Sequence, residues 1–582
     1  MSDLQCLSIP KCSAMVRRVA VVGAGSSGLA CIKICVDEGL EPVCFESSDD
    51  IGGLWNFRET PEPERTSIYR SLVVNTSKEM MCFSDFPMPA DYPNFMHNSQ
   101  LLQYLRLYAE HFDLLRYINF QTTVRSVLQR PDFSLSGQWE VVTINKNGQE
   151  ERHIFDAVLV CSGHYTHPTL PLSDFQGHET FSGRCLHSWE YKDADAFTGK
   201  RVVVVGIGNS GGDIAVEISR SAEKTFLSTR QGAWVMGRMS TNGVPLDIAV
   251  IKRINNVLFQ LLPKTLVNWV AERALNNKYD HRLYGLKPKH RLMERKPIIN
   301  DDLPGRILQG AIVMKHNLEG FKDSRVVFED GTVEENIDAV VFCTGYIGKF
   351  PFLPSTLSEG PYEEVTLYKR VFPPSLHPPT LAVMGLFQAK GPIMPTVEMQ
   401  ARWAVKVFLG QSRLPPKEKM LDVIESERRR NMQSYPCPRQ AVLQVDYIPY
   451  LDFMAGEVGV QPKLLRLFLR DPALWAKVFF GPCTPYQYRL SGPGNWSGAR
   501  QAIFTQWERV AQPFRTREIP ENTSKFGLCS PLMLTFTGTV IIVVLFSKDK
   551  IVPTLEAVTE MLNKSTVFLR ELWFSLPQNP DM

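Results

Sequence analysis

Two short glycine-rich turns, each placed directly after an apolar strand pattern, constrain the fold of this chain more than any other feature. The first turn, GAGSSG at Gly23–Gly28, follows Arg18–Val22, and the second, GIGNSG at Gly206–Gly211, follows Arg201–Val205. Each leads into a helical pattern, and such units hold a pyrophosphate at the helix N-terminus. The sequence therefore predicts an α/β fold with two nested dinucleotide-binding, Rossmann-like domains.

The residues after the second strand of each unit differ in charge. Glu46 stands 18 residues past Gly28, where a carboxylate meets the ribose hydroxyls of an unphosphorylated dinucleotide. In the other unit, Lys224–Ser228 is followed by Thr229 and Arg230 and no acid. An acid would repel a 2′-phosphate, whereas hydroxyls and an arginine bind one. The two units are therefore predicted to bind FAD and NADPH, respectively.

A second internal repeat supports a duplicated architecture. Phe155–Gly163 reads FDAVLVCSG, and Ile337–Gly345 reads IDAVVFCTG. Their aspartates are 182 positions apart, and the first glycines of the two turns are 183 apart. Each segment is predicted to be a late strand that ends on a glycine, where backbone approaches a ligand or the adjoining domain.

At 582 residues the chain is expected to form several domains. The predicted divisions are an N-terminal extension (1–17), a discontinuous FAD-binding domain (18–180 and 331–450), an NADPH-binding domain (181–330) with a helical insertion (231–295), a C-terminal region that packs on the FAD domain and the membrane (451–525), a membrane-anchoring helix (526–547) and a tail (548–582). Three interpretations of the insertion stay open: a cover over a substrate tunnel, a patch that dips into a membrane, or an ordinary packed insertion.

The composition excludes some classes of function. Lys and Arg number 64 against 61 Asp and Glu, and this balance gives no reason to expect nucleic acid as a partner. The twelve cysteines include no CxxC pair and no metal-binding spacing with histidine, so buried reduced thiols and no metal site are expected.

The last apolar segment, Leu528–Phe546, carries no charge over about nineteen residues, which is near the minimum for a bilayer span. A buried core helix is the alternative, but Pro531, Gly538 and many β-branched residues favour a membrane anchor. The first seventeen residues lack the apolar run of a signal peptide. We therefore expect an endoplasmic reticulum membrane protein whose catalytic body faces the cytosol.

Several motifs together resemble the vertebrate flavin-containing monooxygenases over about residues 16 to 520. Besides the two turns, the motifs are GGLW (Gly52–Trp55), NTSKEMMCFSDFP (Asn75–Pro87), FSGRCLHSWEY (Phe181–Tyr191), FCTGY (Phe342–Tyr346), NDDLPGRI (Asn300–Ile307), EMQARW (Glu398–Trp403) and GPCTPYQYRLSGPGNWSGAR (Gly481–Arg500). Within FSGRCLHSWEY, which is too polar and too broken for a core strand, we expect Gly183 to form a turn and His187 to bond backbone at a domain junction rather than act as a base.

The resemblance implies a reaction cycle. NADPH reduces FAD, O2 adds to form a C4a-hydroperoxyflavin, and a soft nucleophile takes the distal oxygen while NADP+ shields the adduct. The expected substrates are small lipophilic tertiary amines, which give N-oxides, sulfides, which give S-oxides, or ketones, and a homo-oligomer is compatible with the sequence. Two alternatives stay open within the family, namely Baeyer–Villiger oxidation of ketones and an NADPH oxidase that mainly produces hydrogen peroxide. A flavin disulfide reductase and a non-catalytic, membrane-tethered nucleotide-binding protein are the competing classes.

The resemblance also implies which residues form the site. Asn75 is the predicted catalytic residue, placed against the flavin and the nicotinamide, and its alternative is an asparagine that caps a turn. Asp213 is expected to face away from the phosphates and bond backbone. The predicted cofactor-binding residues are Gly23, Ala24, Gly25, Ser26, Ser27, Gly28, Glu46, Gly53, Leu54, Trp55, Val74, Asn75, Thr76, Gly206, Gly208, Ser210, Gly211, Gly212, Asp213, Arg230 and Gly345.

Overall fold

The structure, a computed structural model, describes residues 16–240, 243–357, 366–434 and 443–517. Most of the predicted N-terminal extension, the predicted anchor at 526–547 and the tail at 548–582 lie outside these ranges. Of the helices within them, none combines the length and the apolar character that a bilayer crossing needs.

The strands of the described ranges are numbered in chain order. They are Arg18–Val22 (β1), Glu41–Phe45 (β2), Ile118–Asn119 (β3), Thr122–Gln129 (β4), Trp139–Asn145 (β5), Glu150–Phe155 (β6), Ala157–Val160 (β7), His167–Pro168 (β8), Arg184–His187 (β9), Arg201–Val205 (β10), Lys224–Ser228 (β11), Val235–Met236 (β12), Ile298–Ile299 (β13), Ile312–Lys315 (β14), Leu318–Lys322 (β15), Arg325–Phe328 (β16), Val333–Glu334 (β17), Ala339–Phe342 (β18), Tyr346–Ile347 (β19), Leu381–Val383 (β20), Gln388–Lys390 (β21) and Gln444–Asp446 (β22).

The α-helices are numbered in the same way. They are Ser26–Asp37 (α1), Lys78–Met81 (α2), Asn98–His111 (α3), Phe133–Ser136 (α4), Asn209–Ile218 (α5), Leu246–Val250 (α6), Arg253–Leu261 (α7), Lys264–Asn276 (α8), Leu303–Leu308 (α9), Met394–Phe408 (α10), Lys417–Ser434 (α11), Tyr447–Val458 (α12), Leu464–Arg470 (α13), Pro472–Phe480 (α14) and Ala499–Ala511 (α15).

The first glycine-rich turn belongs to a five-stranded parallel sheet with the order β20-β7-β1-β2-β3. Its central strand β1 is buried over four of its five residues, as expected for a β-branched strand covered on both faces. Helix α1 connects β1 to β2 and packs against α10. Because β2 and β7 flank β1 on opposite sides, a ligand crevice is expected at the carboxyl end of β1.

The second turn belongs to another five-stranded parallel sheet, with the order β14-β11-β10-β18-β9. The two predicted late strands are therefore present, because β7 pairs with β1 and β18 pairs with β10. The predicted boundary at residue 330 needs correction, because β18 at Ala339–Phe342 belongs to the second sheet. Its apolar run AVVF is fully buried between β10 and β9, so the second unit extends at least to Phe342.

FSGRCLHSWEY, which was predicted to be too polar and too broken for a core strand, contributes an edge strand instead. Its residues Arg184–His187 form β9, the edge strand of the second sheet, where one flank of the strand does not need an apolar partner. The chain bends at Gly183, just before β9, and this bend needs no left-handed backbone conformation. A Cβ on Gly183 would lie 2.7 Å from the carbonyl oxygen of Ile337, so close approach explains the glycine.

The insertion at 231–295 contains α6, α7 and α8, which confirms its helical character. Their apolar stripe is only partly covered, and Val257, Phe259 and Val270 are exposed. The C-terminal helix α12 packs against α10 of the first unit. Arg489, farther along, pairs with buried Glu398 of α10 at 2.6 Å and with Asp85 at 2.8 Å.

Candidate functional site

The first glycine-rich turn leaves no room for side chains at two of its glycines. Gly23 has φ +99°, and a Cβ on it would lie 2.9 Å from the carbonyl oxygen of Cys161. A Cβ on Gly28 would lie 1.9 Å from the carbonyl oxygen of Gly23. Helix α1 begins at Ser26, so its free N–H groups face the space beside the turn. This cradle fits a pyrophosphate.

Glu46 directly follows β2, and its carboxylate is fixed by the protein. Its Oε2 accepts a hydrogen bond of 2.7 Å from the Ala24 N–H. Its Oε1 accepts from the Ser48 N–H at 2.9 Å and from the Ser48 hydroxyl at 2.7 Å. The side chain lies at the wall of a large cavity, so the arrangement fits an adenosine ribose next to the turn.

This cavity measures about 2500 Å³. Pockets for a single drug-sized ligand are roughly 300–1000 Å³, so the volume fits two large ligands or a cofactor and a substrate. It brings together most of the residues predicted for the flavin, with Ala24 and Gly28 buried in the turn beneath. The predicted residues that line it are Gly23, Gly25, Ser26, Ser27, Glu46, Gly53, Leu54, Trp55, Val74, Asn75 and Thr76.

The second turn repeats the geometry of the first. Gly206 has φ +103°, and a Cβ on it would lie 2.7 Å from the carbonyl oxygen of Cys343. A Cβ on Gly211 would lie 1.9 Å from the carbonyl oxygen of Gly206, and α5 begins at Asn209. Asn209 lines the large cavity. The other predicted residues of this unit stand apart from the cavity wall, namely Gly206, Gly208, Ser210, Gly211, Gly212, Asp213, Arg230 and Gly345.

Asp213 faces neither the turn nor a backbone amide, so the expectation of a backbone partner is wrong. Its Oδ2 accepts a 2.6 Å hydrogen bond from the Tyr69 hydroxyl, and its Oδ1 accepts 2.7 Å from the Asn300 side-chain amide. Burial raises the pKa of Asp213, and these donors work against that rise. Because Tyr69 belongs to the first unit, the carboxylate joins the two units.

The end of β11 leaves the Arg230 guanidinium and the Thr229 O–H for a 2′-phosphate. The Ser228 hydroxyl donates to the His316 carbonyl at 2.8 Å, and the Thr229 hydroxyl accepts from the Gly232 N–H at 3.0 Å. Arg230 is exposed, and no carboxylate of the described ranges pairs with it. Arg230 and the Thr229 hydroxyl, but not the Ser228 hydroxyl, therefore fit the predicted phosphate contact.

Asn75 lies in the cavity wall, three residues before α2. The cap of α2 is Ser77, so Asn75 does not have the helix-capping role that was its alternative. Its Oδ1 accepts a 2.8 Å hydrogen bond from Arg238 Nη2, and Arg238 Nε donates to the Val74 carbonyl at 3.2 Å. With its oxygen occupied, the Asn75 carboxamide keeps its N–H donors for a ligand.

Two residues of this arrangement were not found from the sequence. Arg238 is held by Asp301, through 2.9 Å between Nη1 and Oδ2 and 2.8 Å between the Arg238 N–H and Oδ1. Asp247 accepts 2.7 Å from the Ser77 N–H and so ties α6 to the Asn75 segment. Both lie in the insertion, where a single charged residue carries no sequence pattern of its own.

His187 lies outside the cavity wall, at the end of β9. Its Nδ1 accepts a 3.1 Å hydrogen bond from the Trp189 N–H, as expected for a histidine that bonds backbone. Burial lowers the pKa of His187 to about 4, so the imidazole is neutral at physiological pH. Trp189 in turn donates to the Arg65 carbonyl at 2.8 Å, which links this segment to the first unit.

Comparison with known proteins identifies this pair of nucleotide cradles. The model of the flavin-binding monooxygenase-like family matches residues 16–550. The chain belongs to this family. It is therefore a flavoprotein oxidoreductase of the monooxygenase type, which confirms the resemblance, and FAD and NADPH are the cofactors expected of a family member. The family assignment excludes the two competing classes, the flavin disulfide reductase and the non-catalytic binding protein.

Curated relatives match nearly their whole length. Flavin-containing monooxygenase 5 of Rattus norvegicus is 50% identical over 529 residues, which are 91% of this chain and 99% of that protein. Dimethylaniline monooxygenase [N-oxide-forming] 2 of Mus musculus is 52% identical over 512 residues, or 88% and 95% of the two chains.

Solved structures share the fold at lower identity. The S-allyl-L-cysteine S-oxygenase of Allium sativum aligns with a TM-score of 0.59 at 24% identity, over 85% of this chain and 98% of that one. Cyclohexanone monooxygenase of Rhodococcus sp. Phi1, bound to NADP+, aligns with a TM-score of 0.56 at 18% identity, over 76% and 97%. These likenesses establish the α/β flavin monooxygenase architecture.

Proposed function

We propose that this monooxygenase uses NADPH and O2 to oxygenate soft nucleophiles, namely the nitrogen of small lipophilic tertiary amines and the sulfur of sulfides. The observation that carries the proposal is the Asn75 carboxamide, oriented by Arg238 at 2.8 Å in the wall of the cavity that the GAGSSG turn also lines. Its relatives are named N-oxide-forming dimethylaniline monooxygenase and flavin-containing monooxygenase, which supports an amine or sulfide acceptor.

The proposed cofactor sites follow the two cradles. FAD would lie on the first turn, with the α1 N-terminus at its pyrophosphate, Glu46 at its ribose and Trp55 beside it. NADPH would lie on the second turn, with Arg230 at its 2′-phosphate. When bound, the flavin takes electrons from NADPH and activates O2 for transfer to the substrate.

Asn75 would act as a positioned hydrogen-bond donor. Because Arg238 occupies Oδ1, the N–H donors are aimed away from Arg238 and are available to the cofactors and the bound oxygen species. A donor that is already oriented costs no reorganisation at the moment of reaction. The side chain of Arg238 is only 15% exposed, so water competes little for the bond that fixes this orientation.

An Asn75→Asp variant tests this role with little change in shape. The Asp side chain keeps an oxygen for Arg238 and replaces the N–H donors with a second carboxylate oxygen, which also adds a negative charge. The shape is unchanged, so the fold should be retained, and flavin content is measured as a control. We expect the sulfoxide or N-oxide formed per NADPH consumed to fall by about 10- to 160-fold, which is the effect of losing one preorganised donor of 1.5–3 kcal/mol. Unchanged coupling in a flavin-loaded Asn75→Asp protein would refute the assignment.

The same assay separates the two alternatives within the family. A panel with a tertiary amine, a thioether and a ketone is incubated with NADPH, and product and hydrogen peroxide are measured together. The proposal expects N-oxide and sulfoxide. Ester formation from the ketone alone would indicate Baeyer–Villiger chemistry, and peroxide without product would indicate an NADPH oxidase.

The predicted location and domain plan extend this proposal. The uncharged segment at 528–546 supports a membrane anchor, and the apolar stripe of the insertion is compatible with a protein that works beside a bilayer. We infer an endoplasmic reticulum location with the catalytic body toward the cytosol, and an FAD-binding domain that resumes after Phe342. Fractionation of cells that express the full chain and a chain ending at residue 517 tests the anchor, because only the former should sediment with membranes.

A further inference from the structure

Two adjacent basic residues, Arg295 and Lys296, line the large cavity just before β13. Neither makes a hydrogen bond or an ion pair with any residue in the described part of the chain, and Arg295 Nε is buried without an acceptor. A buried donor without a partner costs free energy, because it loses its bonds to water and gains none. Arg295 Nε therefore has a hydrogen-bonding capacity that the protein does not use, and Lys296 is an exposed cation at the same cavity.

Neighbouring basic residues of the same cavity are partnered. Arg291 pairs with Glu272 at 2.7 Å, and Arg238 pairs with Asp301 at 2.9 Å. Arg295 and Lys296, in contrast, have no carboxylate partner among the described residues.

The environment of Lys296 is short of negative charge. Lys296 is an exposed residue at the cavity, and desolvation by the surrounding protein lowers the pKa of its ammonium group. No nearby carboxylate raises the pKa again, whereas a bound anion would do so. An anion in this place would also accept the free N–H groups of Arg295, in the planar geometry that suits a carboxylate.

The two residues lie within reach of the proposed reaction centre. Lys296 is five residues before Asp301, and Asp301 holds the Arg238 side chain that contacts Asn75. Five extended residues span at most about 18 Å, which limits how far Lys296 can lie from Asp301. Asn75, Arg295 and Lys296 all line the same cavity.

We propose that Arg295 and Lys296 bind the carboxylate of an elongated, otherwise apolar substrate whose sulfur or nitrogen reaches Asn75. The inference rests on the proposed function and deepens it, because it names acidic amphiphiles as a substrate class. The carboxylate forms no covalent bond and stays unchanged during turnover, and its role is to orient the molecule along the cavity.

The test compares two substrates that differ only in charge, 8-(methylthio)octanoate and 8-(methylthio)octanamide. The flavin-loaded full chain is assayed for sulfoxide over a range of each substrate. We expect kcat/KM for the acid to exceed that for the amide by about 10-fold, the value of one charge-assisted contact. Lys296→Met and Arg295→Met should each remove most of this preference, chiefly through KM, without changing kcat/KM for the amide. Lys296→Arg should retain the preference.

A matched control removes the same charge elsewhere. Lys322 lies on β15, away from the cavity wall, and Lys322→Met should leave the acid preference unchanged. Equal turnover of acid and amide by the unmodified protein would overturn the inference while leaving the proposed function intact. A raised KM for NADPH in Lys296→Met, with the acid preference retained, would overturn it in favour of a coenzyme phosphate site. Peroxide without sulfoxide from either compound would contradict the proposed function itself.

Discussion

The contact between Arg238 and Asn75 allows a quantitative prediction about coupling. A hydrogen bond from a charged donor contributes about 1.5–3 kcal/mol, which corresponds to a ratio of roughly 10:1 to 160:1 between the two orientations of the carboxamide. In Arg238→Met this bias is lost, so the N–H donors face the cavity about half of the time. We therefore expect the yield of product per NADPH to fall about 2-fold.

The size of this effect distinguishes a positioning residue from a direct participant. Asn75→Asp removes the N–H donors completely and should lower coupling much more than Arg238→Met. Arg238→Lys keeps the charge near Asp301 but lacks the fork that reaches both Asn75 Oδ1 and the Val74 carbonyl, so it should give an intermediate yield.

The assay measures sulfoxide, NADPH and hydrogen peroxide in the same reaction, with flavin content and circular dichroism as controls for folding. The lost pair with Asp301, which is 39% exposed, should cost about 1 kcal/mol of stability or less. Full coupling in a folded, flavin-loaded Arg238→Met protein would refute the orientation argument. A loss as large as that of Asn75→Asp would show instead that Arg238 acts on the cofactors directly.

Further predictions address the two cradles, the junction between them and pH. Gly28→Ala should abolish flavin binding, whereas Gly211→Ala should keep the flavin and greatly raise the KM for NADPH, because each Cβ would lie 1.9 Å from a carbonyl oxygen. Flavin absorbance and NADPH kinetics distinguish the two variants. Equal flavin loss in both variants would contradict two separate sites. Tyr69→Phe removes one of the hydrogen-bond donors to Asp213 and should lower the free energy of unfolding by about 1–2 kcal/mol, measured in urea melts. An unchanged urea midpoint would contradict this prediction. The pKa of His187 is lowered to about 4 in the folded chain, against 6.5 in the unfolded chain. The contribution of neutral His187 to the free energy of unfolding is therefore retained above pH 6.5 and lost as the pH falls toward 4, by about 1.4 kcal/mol per pH unit. His187→Gln should reduce this acid sensitivity in urea melts, and an unchanged dependence of stability on pH would contradict the prediction.

The sequence predicted those parts of the fold that depend on local chemistry. Each unit consists of a strand, a glycine turn and a helix. This arrangement depends on the backbone conformation of the glycines and on the close approach of neighbouring backbone to them, which a short motif specifies almost completely. The partner strands β7 and β18 were found because their apolar run repeats with the same spacing as the turns. Asn75 was found through the resemblance of its motif rather than through any pattern of its own.

The parts that were missed depend on contacts between distant segments. The strand at Arg184–His187 was not predicted, because an edge position needs fewer apolar residues and so leaves no apolar run in the sequence. The partners of Asp213, Tyr69 and Asn300, are 144 and 87 residues away, so its hydrogen bonds had no local signal. Arg238, Arg295 and Lys296 lie in irregular segments of the insertion or at its end, where only the folded cavity shows which cations are partnered.

The two glycine turns have the same close approach between their last and first glycines, and this similarity affects the choice of coenzyme. In both turns the last glycine contacts the carbonyl oxygen of the first, so the two backbone cradles have the same shape. Because the cradles are alike, neither distinguishes one dinucleotide from another. In the proposed cofactor arrangement, discrimination is left to the residues after the second strand, Glu46 in one unit and Arg230 in the other. These positions are separate from the helices that organise each core, so the preference between NADPH and NADH can drift, or be redesigned, at Arg230 while the scaffold beneath it stays fixed.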